Sequence, residues 1–343
     1  MTTNSATVPA PTRAAKGTSD KRRQRARAAA KPVVFIDGEA GTTGLEIGSR
    51  LADVASVVVH SIDAAKRKDK ALRLAMMRQA DLVVLCLPDA AAVEAVAMLD
   101  AAGPNGPKLI DASTAHRTVE GWVYGFSEMD QGQAAAISAA RRVSNPGCYP
   151  TAAIALIRPL VARGLIPPDY PLTINAVSGY SGGGRSMIEA FESRSAPSFE
   201  LYGLNLAHKH VPELQMHAQL TRRPIFVPSV GNFRRGMLVS VPLHLDTLPG
   251  KPSAGDLVAA LSAHYRGAKL VKVVPAGDPA SKDWRLEPEG LNASDALELR
   301  VCASAEHAQA VLVARLDNLG KGASGAAVQN IGLMLGVKLG VAS

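Results

Sequence analysis

The sequence predicts an α/β protein with two domains: a doubly wound parallel sheet, then an α+β domain with a mostly antiparallel sheet. Strands and helices alternate regularly up to about residue 111, as βαβ units require, whereas later strands follow one another without regular helices between them. The 343 residues are 47% hydrophobic and 20% charged, which is enough for two domains of ordinary size. No uninterrupted apolar run is long enough to span a bilayer, so no membrane association is expected.

The first predicted strand, residues 33–36, leads through a glycine-rich turn into a helix that starts near Leu45. The turn places Gly38, Gly41 and Gly44 at three-residue intervals, with Thr42 and Thr43 between them. A strand, a glycine turn and a helix in this order are the context of a Rossmann-type dinucleotide site, although a glycine turn without a nucleotide is the alternative.

The second predicted strand, residues 56–60, ends where the adenosine ribose of such a cofactor lies. It is followed by Ser61 and then by a basic cluster that includes Lys66 and Arg67. A hydroxyl and cations suit a 2′-phosphate, which favours NADP over NAD. NAD remains possible because Asp63 is an acidic residue, which NAD sites use at this place to accept from the ribose hydroxyls. The cluster could also be the solvated start of a helix.

The next predicted elements are a helix at 71–79, a strand at 81–87, a helix at 90–100 and a strand at 108–111. Ligands of doubly wound sheets bind at the carboxyl ends of the strands, which makes Pro88 and Ser113 candidate cofactor contacts.

Beyond residue 172 the pattern becomes one of strands, and residues 180–185 form a predicted flexible glycine loop that contains Gly182 and ends at Arg185. A final helical segment, residues 325–340, is expected to pack on the first domain. The predicted division is therefore a cofactor domain at 31–147 that is completed by 317–343, and a catalytic domain at 148–316.

Residues 1–31 hold eight Lys or Arg and one Asp, and so carry seven of the eight net positive charges of the chain. The body has no basic bias, which argues against nucleic-acid binding. We predict that residues 1–30 form a disordered, solvated basic tail, with an organelle transit peptide as the alternative.

The three cysteines, Cys86, Cys148 and Cys302, are too few and odd in number for a disulfide framework, and fit a reducing cytoplasm. No His/Cys spacing is typical of zinc, so no metal is expected. Cys86 and Cys302 lie in predicted strands, where a packed structural role is expected.

Cys148 instead stands where a Pro-Gly turn ends and an apolar helix begins. Unpaired backbone N–H groups and the positive end of the helix dipole favour a thiolate there, so Cys148 is the candidate nucleophile. His208 and His210 are candidate proton-transfer partners, and Arg117 and Arg185 are candidate clamps for phosphate or carboxylate. A thiol nucleophile beside a nicotinamide cofactor suggests aldehyde formation from an activated carboxyl group, or the reverse.

With these residues the chain resembles the N-acetyl-γ-glutamyl-phosphate reductases of arginine biosynthesis, especially their type 2 branch. The resemblance extends from residue 33 to near the C-terminus and excludes the first 30 residues. It rests on the segments 35–44 (FIDGEAGTTG), 111–117 (DASTAHR), 144–151 (SNPGCYPT), 208–213 (HKHVPE) and 320–330 (GKGASGAAVQN).

The resemblance implies that Cys148 forms a thioester from the acyl phosphate, with His210 or His208 as the acid/base. It implies that Arg117 and Arg185 hold the phosphate and the carboxylate in an unassigned order, with Asn145 as a further substrate contact. It also implies NADP(H) as cofactor, a small-molecule substrate, and a homodimer or homotetramer formed through the antiparallel sheet in the cytoplasm. The cofactor residues are then Gly38, Gly41, Thr42, Thr43, Gly44, Ser61, Lys66 or Arg67, Pro88, Ser113, Gly182 and, at the head of the last helix, Asn330.

Three alternatives remain at this point. The chain could be a sibling reductase that acts on aspartyl phosphate or on a carrier-bound aminoadipyl or glutamyl phosphate. It could be a nucleic-acid-binding protein, which only the basic tail supports. It could also be an inactive scaffold of the same fold.

Overall fold

The computed structural model describes residues 31–275 and 285–340, which form two β-sheets with helices packed against them. The predicted basic tail, residues 1–30, lies outside the described residues. Among the helices described, none is long and apolar enough to cross a membrane.

The first sheet is wholly parallel, with its six strands in the order β2-β1-β3-β4-β6-β5, which confirms the predicted doubly wound sheet. Its strands are β1 Val33–Asp37, β2 Val58–His60, β3 Leu82–Leu85, β4 Lys108–Asp111, β5 Val123–Tyr124 and β6 Arg142–Ser144. The helices of this half are α1 Thr42–Ala52, α2 Lys70–Gln79, α3 Asp89–Ala101 and α4 Gln133–Ala139. The sequence analysis missed β5, α4 and β6, which are two, seven and three residues long, because such short segments show little periodicity.

Helices cover both faces of this sheet, and all four residues of β3 are therefore buried. One face packs against α1, and the opposite face packs against α2 and α3. The last helix, α9 Gly325–Leu335, returns to the first sheet and contributes Ala327, Val328 and Ile331 to the core on the α1 side.

The second sheet has seven strands in the order β11-β12-β13-β10-β7-β9-β8. Four neighbouring pairs are antiparallel, whereas β7/β9 and β11/β12 are parallel. Its strands are β7 Thr173–Gly179, β8 Phe199–Leu201, β9 Ile225–Gly231, β10 Met237–His244, β11 Val271–Val273, β12 Leu297–Ser304 and β13 Gln309–Leu316.

The prediction that regular helices do not separate these strands was wrong. The chain forms α6 Gly184–Glu192, α7 Val211–His217 and α8 Ala254–His264 between them. The predicted flexible loop is a 3₁₀ turn, Tyr180–Gly183, that runs directly into α6. A signal for α8 was present in the sequence, because Ser253 and Asp256 form a capping box at its start.

Helix α5, Cys148–Ala162, is buried along almost its entire length and joins the two halves of the molecule. It packs with α8 on one face of the second sheet. Alternate residues of β10, β12 and β13 are buried beneath these helices, while the residues between them stay partly or fully exposed on the opposite face. We call that opposite face the open face.

A buried ion pair anchors the segment that leads from β13 into α9. The Lys321 ammonium lies 2.7 Å from Glu128 Oε2 and 2.8 Å from Gln329 Oε1, and Lys321 is fully buried. Breaking such a pair leaves an uncompensated charge in the core, which typically costs about 3–5 kcal/mol. Lys321 therefore fixes how the second sheet meets the first.

Candidate active site

A cavity of about 650 Å³ lies between the two sheets. One wall consists of the turns that follow β3, β4 and β6, at the carboxyl ends of the parallel strands, where doubly wound folds bind ligands. The other wall comes from residues 178–184 and from the segment around His208 and His210. The predicted site residues that line this cavity are Thr42, Thr43, Pro88, Ser113, Arg117, Asn145, Cys148, Gly182, His208 and His210.

Cys148 is the first residue of α5, and the turn before it is closely surrounded by functional groups. The Gly147 N–H donates to Glu213 Oε1 at 2.8 Å. A Cβ on Gly147 would lie 2.5 Å from Arg117 Nη1, 2.8 Å from His210 Nε2 and 3.0 Å from Glu213 Oε2. Only glycine therefore allows these three side chains to converge beside the thiol.

The thiolate expected at this helix start is not what the structure favours. Burial raises the pKa of Cys148 to about 11, although the backbone N–H of Tyr149 and the Arg117 guanidinium both lower it. The helix start thus acts in the predicted direction, but the loss of solvation is larger. A proton acceptor must therefore take the thiol proton at neutral pH.

His210 is suited to accept that proton. It is buried, and burial holds its pKa well below the ordinary value, with further lowering by Arg117, His208 and Lys209. Its neutral imidazole has Nε2 towards Gly147, and its Nδ1 has no hydrogen-bond partner among the described residues.

His208 contacts the main chain of His210 and is not among the groups that surround Gly147. Its Nδ1 accepts a hydrogen bond from the His210 backbone N–H at 3.2 Å, and burial lowers its pKa. The two rings meet edge to face, with centroids 4.9 Å apart. His208 therefore supports His210, which is the histidine beside the cysteine turn.

Arg117 lies in the cavity wall as predicted, but it is already paired. Its Nη1 donates to Glu213 Oε2 at 2.9 Å and its Nη2 donates to the Ala112 carbonyl at 3.1 Å. Both side chains of this pair are buried. Burial alone would lower the pKa of Arg117, but the charge of Glu213 and its hydrogen bond raise it, so the guanidinium stays charged.

Arg185 is not brought to the cavity. It lies in the first turn of α6, is exposed to solvent and is absent from the cavity lining, although Gly182, Gly183 and Gly184 beside it are present. The predicted loop would have let Arg185 reach inward, whereas the helix directs it elsewhere.

Asn330 is also placed differently from the prediction. It lies in the middle of α9 rather than at its head, is fully buried and does not line the cavity. Its amide donates to the Gly125 carbonyl at 2.9 Å and to Asn145 Oδ1 at 3.1 Å. Asn145 in turn donates to the Ala323 carbonyl, so Asn330 holds Asn145 in the cavity wall while lying outside the cavity itself.

A second cavity, of about 330 Å³, lies beside the glycine turn and shares Leu87 with the larger one. Gly38 lines it with φ at +89°, and a side chain there would collide with the Cys86 carbonyl. Arg67 also lines it, whereas Ser61 and Lys66 are exposed and line neither cavity. Gly41 and Gly44 shape the turn without lining either cavity.

Two further cations line this second cavity: Lys68, which belongs to the basic cluster after Ser61, and Arg73, which was not predicted. Arg73 reaches it from α2 and pairs with the buried Asp37, with Nη2 2.7 Å from Oδ2. Two neighbouring cavities, one with a glycine turn and cations and the other with the thiol, are the arrangement expected for a dinucleotide that reaches Cys148 with one end. Thr42, Thr43, Pro88, Ser113 and Gly182 line the larger cavity together with the thiol.

The sequence analysis did not identify several residues that hold the site in place. The Asp111 carboxylate accepts hydrogen bonds from the Ser113 N–H and hydroxyl and contacts His116 Nδ1 at 2.5 Å, which orders the turn after β4. Glu213 accepts a third hydrogen bond from the Tyr124 hydroxyl at 2.7 Å. Glu213 and Asp111 lie within the segments that carry the family resemblance, which was the available signal. Within the described residues no group of three His, Cys, Asp or Glu side chains could hold a metal ion.

Comparison with known proteins identifies relatives of this chain. Residues 148–318 match the family model of the semialdehyde dehydrogenase dimerisation domain. The N-acetyl-gamma-glutamyl-phosphate reductases of Brucella ovis and Brucella canis are each 54% identical over 311 residues, which is 89% of this chain and 99% of theirs.

Solved structures share the fold at low identity. Aspartate semialdehyde dehydrogenase II of Vibrio cholerae, complexed with ASA, superposes with a TM-score of 0.67 at 12% identity, over 90% of this chain and 99% of that one. Aspartate semialdehyde dehydrogenase with NADP from Candida albicans superposes with a TM-score of 0.56 at 11% identity, over 89% of this chain and 98% of that one. These two comparisons support the fold alone.

The raised pKa of Cys148 leads to a test that does not depend on turnover. Because only the thiolate attacks iodoacetamide, we expect alkylation of Cys148 to rise about tenfold per pH unit from pH 7 to pH 10 without levelling off. Mass spectrometry of the Cys148 peptide measures the rate. Cys86, whose pKa burial raises to about 12, should react more slowly throughout. A plateau below pH 9 would contradict our account of the site.

Proposed function

We propose that this chain, which belongs to the family of N-acetyl-gamma-glutamyl-phosphate reductases, reduces N-acetyl-γ-glutamyl phosphate to N-acetylglutamate 5-semialdehyde and releases phosphate. The reaction is a step of arginine biosynthesis. The observation that carries the proposal is Cys148 beside a neutral His210 and the Arg117–Glu213 pair, in a chain 54% identical to such reductases over 89% of its length.

The reaction begins with the thiol of Cys148. As its sulfur forms a bond to the acyl carbon, the thiol proton passes to His210 and the carbon–oxygen bond to the phosphoryl group breaks. Phosphate leaves and takes up a proton from solvent, and a thioester on Cys148 remains. His210 can take the proton because burial keeps its imidazole neutral at pH 7.

The carbonyl oxygen of the reacting carbon gains negative charge as the sulfur attacks. No side chain caps the start of α5, so the first backbone N–H groups of that helix are available to stabilise the charge. Loss of one such donor typically costs about 3 kcal/mol of barrier.

A reduced nicotinamide cofactor, when bound, supplies the hydride that brings the thioester carbon to the aldehyde level. Release of the aldehyde breaks the carbon–sulfur bond, and His210 returns its proton to the sulfur of Cys148. The site is then restored without a net change in the protein. His208 steadies the His210 main chain through these proton transfers.

NADP(H) is the cofactor we propose, and the charges of the second cavity support it. Arg67, Lys68 and Arg73 line this cavity beside the glycine turn. Arg67 pairs with Glu39 at 3.1 Å and Arg73 with Asp37, while the Lys68 side chain is exposed. Three cations against two carboxylates leave a net positive site that suits a 2′-phosphate.

A homodimer through the open face of the second sheet is the assembly we propose. Val311 on β13, Pro242 on β10 and Cys302 on β12 are register neighbours at its centre, and at its edge Phe199, Leu201 and Ile225 are exposed. A partly apolar sheet face of this kind fits the matched dimerisation-domain family, and a second copy can cover it by two-fold symmetry.

The cytoplasm is the location we propose. Its support is that Cys86, Cys148 and Cys302 are all free thiols, which a reducing compartment preserves.

The first prediction concerns the reaction itself. We expect the chain to reduce NADP⁺ with N-acetylglutamate 5-semialdehyde only when phosphate is added, because the thioester needs phosphate to be released. Cys148→Ser should lower kcat by at least roughly 10³-fold, since the nucleophile is lost. Absorbance at 340 nm follows the reaction.

The matched control is Cys302→Ser, a near-isosteric change of a thiol on the open face that lines neither cavity and should keep the parent rate. Turnover with aspartate semialdehyde instead would assign the chain to the sibling enzyme. Activity without phosphate would contradict the acyl-phosphate route.

The second prediction concerns the cofactor. Arg67→Met should raise KM for NADP⁺ by about 10- to 100-fold, because a charged contact to a phosphate is worth about 1.5–3 kcal/mol. KM for NAD⁺ should stay within about twofold, since NAD⁺ lacks the 2′-phosphate. Arg78→Met, on the exposed end of α2, is the control. Equal KM changes for both cofactors would refute the assignment.

The third prediction concerns the dimer. Val311→Glu should weaken association by at least about 100-fold, because two-fold symmetry buries the new charge twice. The control is Val258→Glu on α8, since Val258 is 38% exposed and Val311 is 37% exposed. Sedimentation velocity reports the result. Unchanged sedimentation of Val311→Glu would exclude the open face as the interface.

A further inference from the structure

The proposed substrate carries a phosphoryl group and a carboxylate, so its cavity needs positive charge. Among the described residues that line the larger cavity, Arg117 and Lys209 are the two with cationic side chains. His208 and His210 add no charge at neutral pH, since burial lowers the pKa of each. The inference below rests on the proposed function and concerns how the substrate anions are held.

Arg117 offers little net charge to a ligand. Glu213 Oε2 lies 2.9 Å from its Nη1, both side chains are buried, and the Ala112 carbonyl occupies Nη2. Two of its five N–H bonds are used in this way, so Arg117 can still donate directed hydrogen bonds to a ligand. Its positive charge, however, is balanced within the protein.

Lys209 differs from Arg117 in both its exposure and its lack of a partner. Its side chain is exposed on the cavity wall, and within residues 31–275 and 285–340 it forms no hydrogen bond or ion pair. An ammonium on a flexible stem, with three donors and no protein acceptor, is free to bind an anionic ligand.

The main chain around Lys209 is nevertheless held firmly. The backbone N–H of the next residue, His210, donates to His208 Nδ1, and the His210 carbonyl accepts from the Leu214 N–H in the first turn of α7. The buried His210 ring anchors one side of Lys209 and the half-buried His208 ring the other. The stem of the lysine therefore starts from a fixed point beside the acid/base.

The charge of Lys209 affects Asp89, a carboxyl group on the opposite wall of the cavity. Burial works against ionisation of Asp89, but hydrogen bonds from Thr114, followed by the charges of Lys209 and Arg117, lower the pKa of its carboxyl. Asp89 itself accepts from the Thr114 N–H at 2.9 Å, at the turns that follow β3 and β4. The Lys209 ammonium thus acts across the cavity, towards the space that the substrate must enter.

We propose that Lys209 binds an anionic group of the substrate, either its phosphoryl group or its carboxylate. Its ammonium forms no ion pair within the described residues, and it provides the second substrate-binding cation that was expected at Arg185. Arg117 supplies a directed donor near Cys148, and Lys209 supplies charge at the mouth of the same cavity.

The test measures the reverse reaction of Lys209→Met with both substrates varied. We expect KM to rise about 10- to 100-fold for one of them, with a smaller change in kcat, because the contact is made in binding. A rise for inorganic phosphate identifies the phosphoryl site, and a rise for the semialdehyde identifies the carboxylate site. Lys209→Arg should restore KM to within about threefold of the parent, since it keeps the charge.

The control is Lys272→Met, which removes an exposed lysine from β11 and should change neither KM. The proposal is overturned if both KM values of Lys209→Met stay within twofold of the parent, whatever happens to kcat. In that case an active parent still supports the proposed function.

A second measurement separates the two proposals if the parent shows no turnover. Inorganic phosphate and N-acetylglutamate are each tested for protection of Cys148 against iodoacetamide, in the parent and in Lys209→Met. Weaker protection by either anion in the variant supports the Lys209 site even when the proposed reaction fails. Equal protection in both proteins, or none in the parent, excludes it.

Discussion

The carboxylate of Glu213 is the group on which the rest of the site depends. It is buried and accepts hydrogen bonds from the Gly147 N–H, the Tyr124 hydroxyl and the Arg117 guanidinium. A carboxylate without such donors would be too costly to bury, so the three donors and Glu213 require one another. Because they come from β5, the turn after β4, the cysteine turn and α7, a single ionised group fixes both walls of the cavity.

Burial of this cluster also determines how the chemistry can work. The same exclusion of water that strengthens the attraction between Arg117 and Glu213 raises the pKa of Cys148 and lowers that of His210. A neutral thiol and a neutral imidazole therefore face the substrate together. Proton transfer coupled to sulfur attack replaces a thiolate formed in advance, so the positive charge on His210 appears together with the negative charge on the reacting oxygen.

The cavity exists only where the two sheets meet, so their relative placement matters as much as any side chain. Helix α5 begins at Cys148 and continues into the core of the second half. The segment after β13 crosses back and is anchored by buried Lys321 before α9 joins the first sheet. Asn330 then orients Asn145 in the cavity wall, which links the last helix to the cysteine turn.

The sequence by itself determined those features that depend on neighbours along the chain. These are the parallel sheet with its glycine turn, the placement of Cys148 at a helix start, and the proximity of His208 and His210 to each other. Local periodicity and turn chemistry are enough for such features. These local signals did not predict β5, α4 and β6, which are too short to show a period. They also did not predict α6, α7 and α8, which lie between strands that were expected to follow one another directly.

Only the tertiary structure decided what depends on distant partners. It turned Arg185 outward on α6, buried Asn330 in the middle of α9 and raised the pKa of Cys148 against the effect of the helix start. It also left Lys209, between two histidines, as the cation of the larger cavity that forms no ion pair among the described residues. Burial and charge balance arise from groups far apart in sequence, and no local pattern records them.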